Sequence, residues 1–152
     1  MLDVILIGII GTIISVIIGT FWYSMSTPMG RLHMQSIGFT KLSKDEQKKA
    51  IEKEKPYMWK SYVIQMILSF LTSFFIAFVT KYTIQNGQSG SSVYFYVVFI
   101  WLSFIIPIIG QSLIWGNIPK NLRVKKFISD SIYNLITYIL IATAAIVVLS
   151  FF

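Results

Sequence analysis

The chain has no cysteine, a single histidine and few charged residues. Without cysteine there can be no disulfide framework, thiolate metal site or cysteine nucleophile, and thiols say nothing about the redox compartment. Only 12% of the residues are charged, whereas soluble domains contain about a quarter. Because 55% of the residues are hydrophobic and the mean hydropathy is +0.72, a soluble fold of 152 residues could not bury this apolar surface. The excess is therefore expected to face lipid.

Long apolar runs separate the charged segments. A helix needs about 20 mostly apolar residues to cross a hydrocarbon core of roughly 30 Å. The first run has no basic residue before it and no A-x-A-like site after it, so we interpret it as a span and not as a cleaved signal peptide. The sequence thus predicts one all-α transmembrane domain over residues 1–152. Its four spans are expected at about 4–23, 61–80, 93–115 and 131–152.

Basic residues are concentrated in two of the three predicted loops. Eight Lys or Arg lie between Arg31 and Lys60, four lie between Lys120 and Lys126, and the middle loop has only Lys81. Short loops rich in Lys and Arg stay in the cytoplasm. Four spans place the first and third loops on the same side, which agrees with this charge pattern. We therefore predict a multi-pass protein of the cell membrane, with both termini on the non-cytoplasmic side.

The first loop contains a helical signature. Ser43 followed by Glu46 is typical of a capping box, and pairs such as Asp45 with Lys49 would support a helix. This predicts a short cytoplasmic helix over about 43–55, which Pro56 is expected to end. A solvated surface helix is favoured over a contact with a partner or lipid. By composition, residues 85–92 are expected to form a flexible connector.

Each predicted span has one stripe of small or polar residues, and such stripes mark helix contacts in membranes. Four inward-facing stripes would make a bundle. The stripes would either pack as helix contacts, the favoured interpretation, or line a polar pathway. The predicted packing or oligomer face of the first span comprises Gly8, Thr12, Ser15 and Gly19. The third-span stripe comprises Ser103, Pro107, Gly110 and Gln111. The candidate pathway residues are Gln65, Gln111 and Asn134, whose polar groups would need partners in hydrocarbon.

Residues that carry chemistry are scarce. No ionisable residue lies within a predicted span, which argues against a small proton-coupled exporter, an intramembrane protease or a metal transporter. His33 lies near Met25, Met29 and Met34, but this irregular spacing is weak support for a metal site. No catalytic set or cofactor motif is visible. The net charge of +7 is interpreted as a topology signal and not as a nucleic-acid surface. Lipid headgroups or the cytoplasm are the expected contacts of Arg31, Lys60, Lys120, Arg123, Lys125 and Lys126.

Two segments resemble a known family. They are Gly19-Thr20-Phe21-Trp22-Tyr23-Ser24, followed by Pro28-Met29-Gly30-Arg31, and Gln111 to Pro119 before the last span. The chain resembles the small prokaryotic membrane proteins of domain of unknown function 1761, with their Trp-Tyr-Ser-Pro turn, Phe-Gly-Lys and Trp. Met25 stands here in place of the proline, one extra residue precedes Gly30, Arg31 replaces the lysine, and His33 stands near the later tryptophan. The resemblance implies four spans and no particular mechanism.

These patterns favour a non-enzymatic membrane protein that works through helix packing, as a homo-oligomer or as an accessory subunit of a membrane assembly. Membrane lipids and a second membrane protein chain are its expected partners. A small channel or carrier for a small solute is the alternative, and an enzyme acting on lipid ranks last. The loose likeness between Gly19…Trp22…Pro28 and Gly110…Trp115…Pro119 suggests two parallel helical hairpins.

Overall fold

The computed structural model describes residues 1–151, and these residues form helices joined by short links. α3 and α6 are long, and the helical segment between them is interrupted by a π-helical turn at Trp101–Ile105. A 3₁₀ turn, Phe39–Lys41, precedes α3. The helices are α1 Leu2–Trp22, α2 Pro28–Ser36, α3 Lys44–Gln85, α4 Gly90–Ile100, α5 Ile106–Trp115 and α6 Lys120–Leu149.

Four of the helical segments are long and apolar enough to cross a membrane: α1, α3, α4 continued through α5, and α6. The protein is therefore a multi-pass membrane protein with an all-helical fold over the described residues. The predicted end of the fourth span at Phe152 lies outside the described residues, and α6 itself ends at Leu149.

α1 lies against α3 and α6, and α4 lies against α3 and α6 on the other side of the core. One buried apolar cluster joins Ile76, Val93, Val97, Ile141 and Ala142. A second cluster packs α1 against α3 and α6 through Val4, Ile7, Ala77 and Ala145. The small residues let the helices approach closely, which is how membrane helices gain packing energy.

The predicted loop helix begins as expected, but its predicted end at Pro56 is wrong. Ser43 and Glu46 form both halves of the capping box, and the helix then continues through Pro56 to Gln85. Proline removes one helical hydrogen bond, to the carbonyl of Glu52. Residues 51–60, on both sides of Pro56, are all exposed, so no neighbouring element constrains the helix there. At 1.5 Å per residue the 42 residues of α3 extend about 63 Å, twice the hydrocarbon core.

The third basic segment is also helical. α6 begins at Lys120, so the four basic residues of the predicted loop form its first two turns, and only residues 116–119 link it to α5. Before α5, the π-helical turn ends two residues ahead of Pro107, which has no N–H to donate to the preceding turn. The third span therefore changes its helix type just before Pro107.

Candidate functional site

A tight turn after α1 folds α2 back against the bundle. Thr27 caps α2, since its hydroxyl accepts from the N–H of Gly30 at 3.0 Å. The same hydroxyl lies 2.8 Å from the carbonyl oxygens of Trp22 and Ser24, to which it can donate. Gly30 is buried so close to the Ser24 backbone that a Cβ there would overlap it. These contacts fix α2 beside α6, which it contacts.

Two adjacent aromatic residues at the end of α1, Trp22 and the following Tyr23, contact α6. The indole N–H of Trp22 donates to Ser129 Oγ at 3.2 Å, and the Tyr23 hydroxyl donates to Asp130 Oδ1 at 3.1 Å. Lys126, one helical turn before Asp130, donates to both oxygens of the same carboxylate. Lys126 is only 7% exposed, and its ammonium also lies 5.3 Å from the centre of the Tyr23 ring. The cation, the carboxylate and the phenol therefore satisfy one another at the end of the bundle.

His33 of α2 completes this aromatic cluster. Its ring centre lies 5.1 Å from that of Tyr23, edge to face, and Tyr133 lies 5.2 Å from Tyr23 on α6. Burial and the neighbouring Lys126 lower the pKa of His33 from its ordinary value of 6.5, and Asp130 opposes this shift. The His33 Nδ1 is buried and has no hydrogen-bond partner among the described residues. A neutral ring at pH 7 fits these surroundings.

A cavity of about 560 Å³ adjoins the cluster, between α1, α2, α3 and α6. Its lining is aromatic and polar, without a Lys, Arg, Asp or Glu among the described residues that form it. The lining residues are Ser15, Val16, Gly19, Thr20, Tyr23, His33, Tyr62, Gln65, Ser69 and Tyr133.

The small-residue stripe of α1 lies inside the bundle. A Cβ on Gly8 would lie 2.8 Å from the ring of Phe70, and one on Gly19 would lie 3.0 Å from the Tyr133 hydroxyl. Thr12 and Ser15 are buried, and their hydroxyls donate hydrogen bonds to the α1 carbonyls four residues earlier. The α1 face that was predicted to pack against another helix or another copy thus lies against α3 and α6 of the same chain. Gly11, which the prediction left out, is the tightest of the α1 glycines, since its Cβ would lie 2.5 Å from Ser73 Oγ.

The three candidate pathway residues are not brought together. Gln65 lines the cavity and donates to Ser69 Oγ at 3.4 Å. Asn134 donates to the Asp130 carbonyl of its own helix at 2.8 Å, and Gln111 is exposed on α5. Neither Asn134 nor Gln111 lines the cavity that holds Gln65.

The six basic residues expected at the membrane surface have different surroundings. Arg31, Lys60, Lys120 and Lys125 are exposed, and the Lys60 ammonium lies 5.9 Å from the ring centres of Tyr57 and Trp59. Arg123 donates to the Ile118 carbonyl at 3.0 Å. Lys126 differs, because it is buried against Asp130 and is not free to contact headgroups.

Asp130 is the residue of this cluster that the sequence predictions left out. It is the only acidic residue after Glu54, and it follows Lys126 by the four residues that place two side chains on one helix face. This spacing would have been enough to predict the Lys126–Asp130 pair. At the opposite end of α1, Asp3 is also buried and pairs with Lys81 at 2.6 Å, which joins α1 to α3. Nothing in the local sequence indicates that pair, which spans 78 residues.

The residues that form the α1–α2 turn are those on which the family resemblance depends. The family described as protein of unknown function (DUF1761) matches the chain over residues 6–146, which includes the turn, the cavity and the Lys126–Asp130 pair. No curated protein and no solved structure matches the chain. The match over nearly the whole chain and the four apolar helices show that this protein belongs to the DUF1761 family.

Proposed function

We propose that this protein is a non-enzymatic membrane component that acts as a homo-oligomer or as an accessory subunit of a membrane assembly, and that it associates through the α4–α5 side. The observation that carries the proposal is an outward-facing stripe on that side that includes a hydroxyl and an amide. Ser103, Pro107 and Gln111 are all exposed there, although the segment is apolar enough to lie in a membrane.

The other spans bury more of their small and polar residues. Ser69 and Ser73 of α3 and Ala142 and Ala145 of α6 are buried, and so are Gly8, Thr12 and Ser15 of the α1 stripe. The α4–α5 segment is the least covered of the four, with 11% of its apolar window buried against 33% for α1. In hydrocarbon an exposed amide or hydroxyl gains by meeting another helix, because lipid tails offer it no hydrogen bond. A second copy of the same stripe is the simplest partner, since symmetric pairs bury one surface twice.

We further propose that the protein lies in the cytoplasmic membrane and that its basic segments face the cytoplasm. The exposed, charged first half of α3 then projects from the membrane on that side, beside Arg31, Lys120 and Lys125. Asp3, Lys81 and both termini then lie on the other side. In this arrangement the two helical hairpins, α1 with α3 and α4–α5 with α6, enter the membrane in the same direction.

The absence of cysteine makes a clean cross-linking test possible. Ser103→Cys is expected to give a covalent dimer in native membranes under mild oxidation. Ile13→Cys is the control. Ile13 is 54% exposed and lies near the middle of α1, and Ser103 likewise lies near the middle of its span. Native mass spectrometry of the unmodified protein in mild detergent would detect either a second copy or another subunit. A strictly monomeric protein that cross-links equally poorly at both positions would refute the proposal.

A further inference from the structure

The cavity beside His33 opens sideways between α1 and α3. Val16, Thr20, Tyr62 and Gln65 line it and are also exposed, and Tyr62 is 61% exposed. Both edges of the opening therefore belong to the predicted spans at 4–23 and 61–80. With a volume of about 560 Å³, the cavity is in the size range of small-molecule sites. A ligand would reach it from the lipid.

The electrostatics of the cavity favour an uncharged ligand. Of the described residues that line it, none is a Lys, Arg, Asp or Glu. The nearest ions, Lys126 and Asp130, neutralise each other, and the Lys126 ammonium also faces the Tyr23 ring. A charged headgroup would lose its hydration without gaining a counter-ion, which is costly in a poorly solvated site.

The walls combine ring faces with hydrogen-bond donors. Tyr23, His33 and Tyr133 form an aromatic group, and Tyr62 lies at the opening. His33 lines the cavity, and its buried Nδ1 has no hydrogen-bond partner among the described residues, so the imidazole has hydrogen-bonding capacity left for a ligand. Gln65 adds an amide beside Ser69. Amide, imidazole and phenol groups beside these edge-to-face rings match a planar head that carries carbonyl groups.

We infer that this cavity binds an uncharged amphiphile with a planar, carbonyl-bearing head, of the quinone class, whose tail leaves past Val16 into the lipid. The head lies against the His33 and Tyr133 rings that line the cavity, and Gln65 donates to one of its carbonyl oxygens. This binding is independent of the proposed oligomer, because the α4–α5 side contributes no residue to the cavity.

A decyl-substituted benzoquinone is a suitable probe because quinones quench tryptophan fluorescence. Trp22 packs 6.1 Å from Tyr133, ring centre to ring centre, so it reports on the cavity when Trp59, Trp101 and Trp115 are changed to phenylalanine. In this background, with the protein in lipid nanodiscs, quenching is expected to saturate. Gln65→Leu is expected to weaken binding about tenfold, the effect of about 1.4 kcal/mol of lost hydrogen bonding.

The matched control is Gln35→Leu, since Gln35 is exposed on α2 and does not line the cavity. It should leave the affinity within about twofold of the parent. Tyr62→Leu, at the exposed opening, provides a second variant if Gln65→Leu does not give folded protein. Monoolein, which is uncharged but has no planar head, and oleate, which is charged, are the competitors. Quenching that does not saturate, equal affinity in the cavity variants and the control, or equal competition by monoolein or oleate would each overturn the inference.

Discussion

The hydroxyl of Tyr23 donates a 3.1 Å hydrogen bond to Asp130, a residue 107 positions further along the chain. This bond ties the end of α1 to α6. It also gives the Lys126–Asp130 pair a neutral third partner, so the carboxylate accepts from a phenol as well as from an ammonium. The turn that follows Tyr23 then holds α2 over the same cluster. Three helices thus depend on a single carboxylate.

Replacing Asp130 by Asn should destabilise the protein strongly. The ammonium of Lys126 would remain buried without a counter-ion, which costs about 3 kcal/mol in such pairs. The double variant Lys126→Met/Asp130→Leu should lose less than Asp130→Asn alone, because it leaves no buried charge. Thermal unfolding in detergent would measure both, and Glu54→Gln is the control at an exposed carboxylate. Equal stability of Asp130→Asn and Glu54→Gln would contradict this account of the pair.

Gly30→Ala should disrupt the turn after α1. The new Cβ would overlap the Ser24 backbone, which cannot move without displacing the cap at Thr27. A loss of more than about 1 kcal/mol is expected, with proteolysis between α1 and α2 as a second measurement. Gly110→Ala is the matched control, since its Cβ would lie 3.8 Å from the Phe127 ring, and alanine favours a helix by about 0.5–1 kcal/mol. If both variants lost the same stability, crowding at Gly30 would not be the cause.

The protein should lose stability in mild acid through His33. Its pKa is lowered in the folded protein, mainly by burial and then by Lys126, although Asp130 acts in the opposite direction. The unfolded chain therefore binds the proton more readily, and the contribution of a neutral His33 is complete above pH 6.5 and falls as the pH drops below that value. Melting temperatures at pH 7.5 and 5.5 would show the loss. Since His33 is the only histidine, His33→Gln should remove most of this pH dependence, and an unchanged dependence would exclude His33 as its source.

Accessibility on intact cells should distinguish the two sides of the membrane. Lys48→Cys on the projecting part of α3 and Lys125→Cys on α6 are expected to be protected from an impermeant maleimide until the cells are opened. Gln88→Cys, in the exposed link between α3 and α4, is expected to react from outside. All three positions are exposed in the structure, so reactivity is expected to depend on the side of the membrane. Labelling of Lys48→Cys or Lys125→Cys on intact cells would reverse the proposed orientation.

The apolar runs determined by themselves that four helices are long enough to span a membrane, because this depends only on local composition and length. Local chemistry also determined the Ser43–Glu46 cap, since both halves of that contact lie within one turn. Pro56 misled the prediction because a proline removes only one hydrogen bond, and an exposed helix can lose it and continue.

Only the tertiary structure decided which faces meet. It packed the Gly8–Gly19 stripe inside the chain, left Ser103 and Gln111 exposed, and separated Gln65 from Asn134. It also paired Asp3 with Lys81 and Tyr23 with Asp130, across 78 and 107 residues. Helix periodicity places residues on a common face, but it does not say which helix that face will contact. That choice depends on the shapes of all four helices together, and on the few ions that must find partners once they leave water.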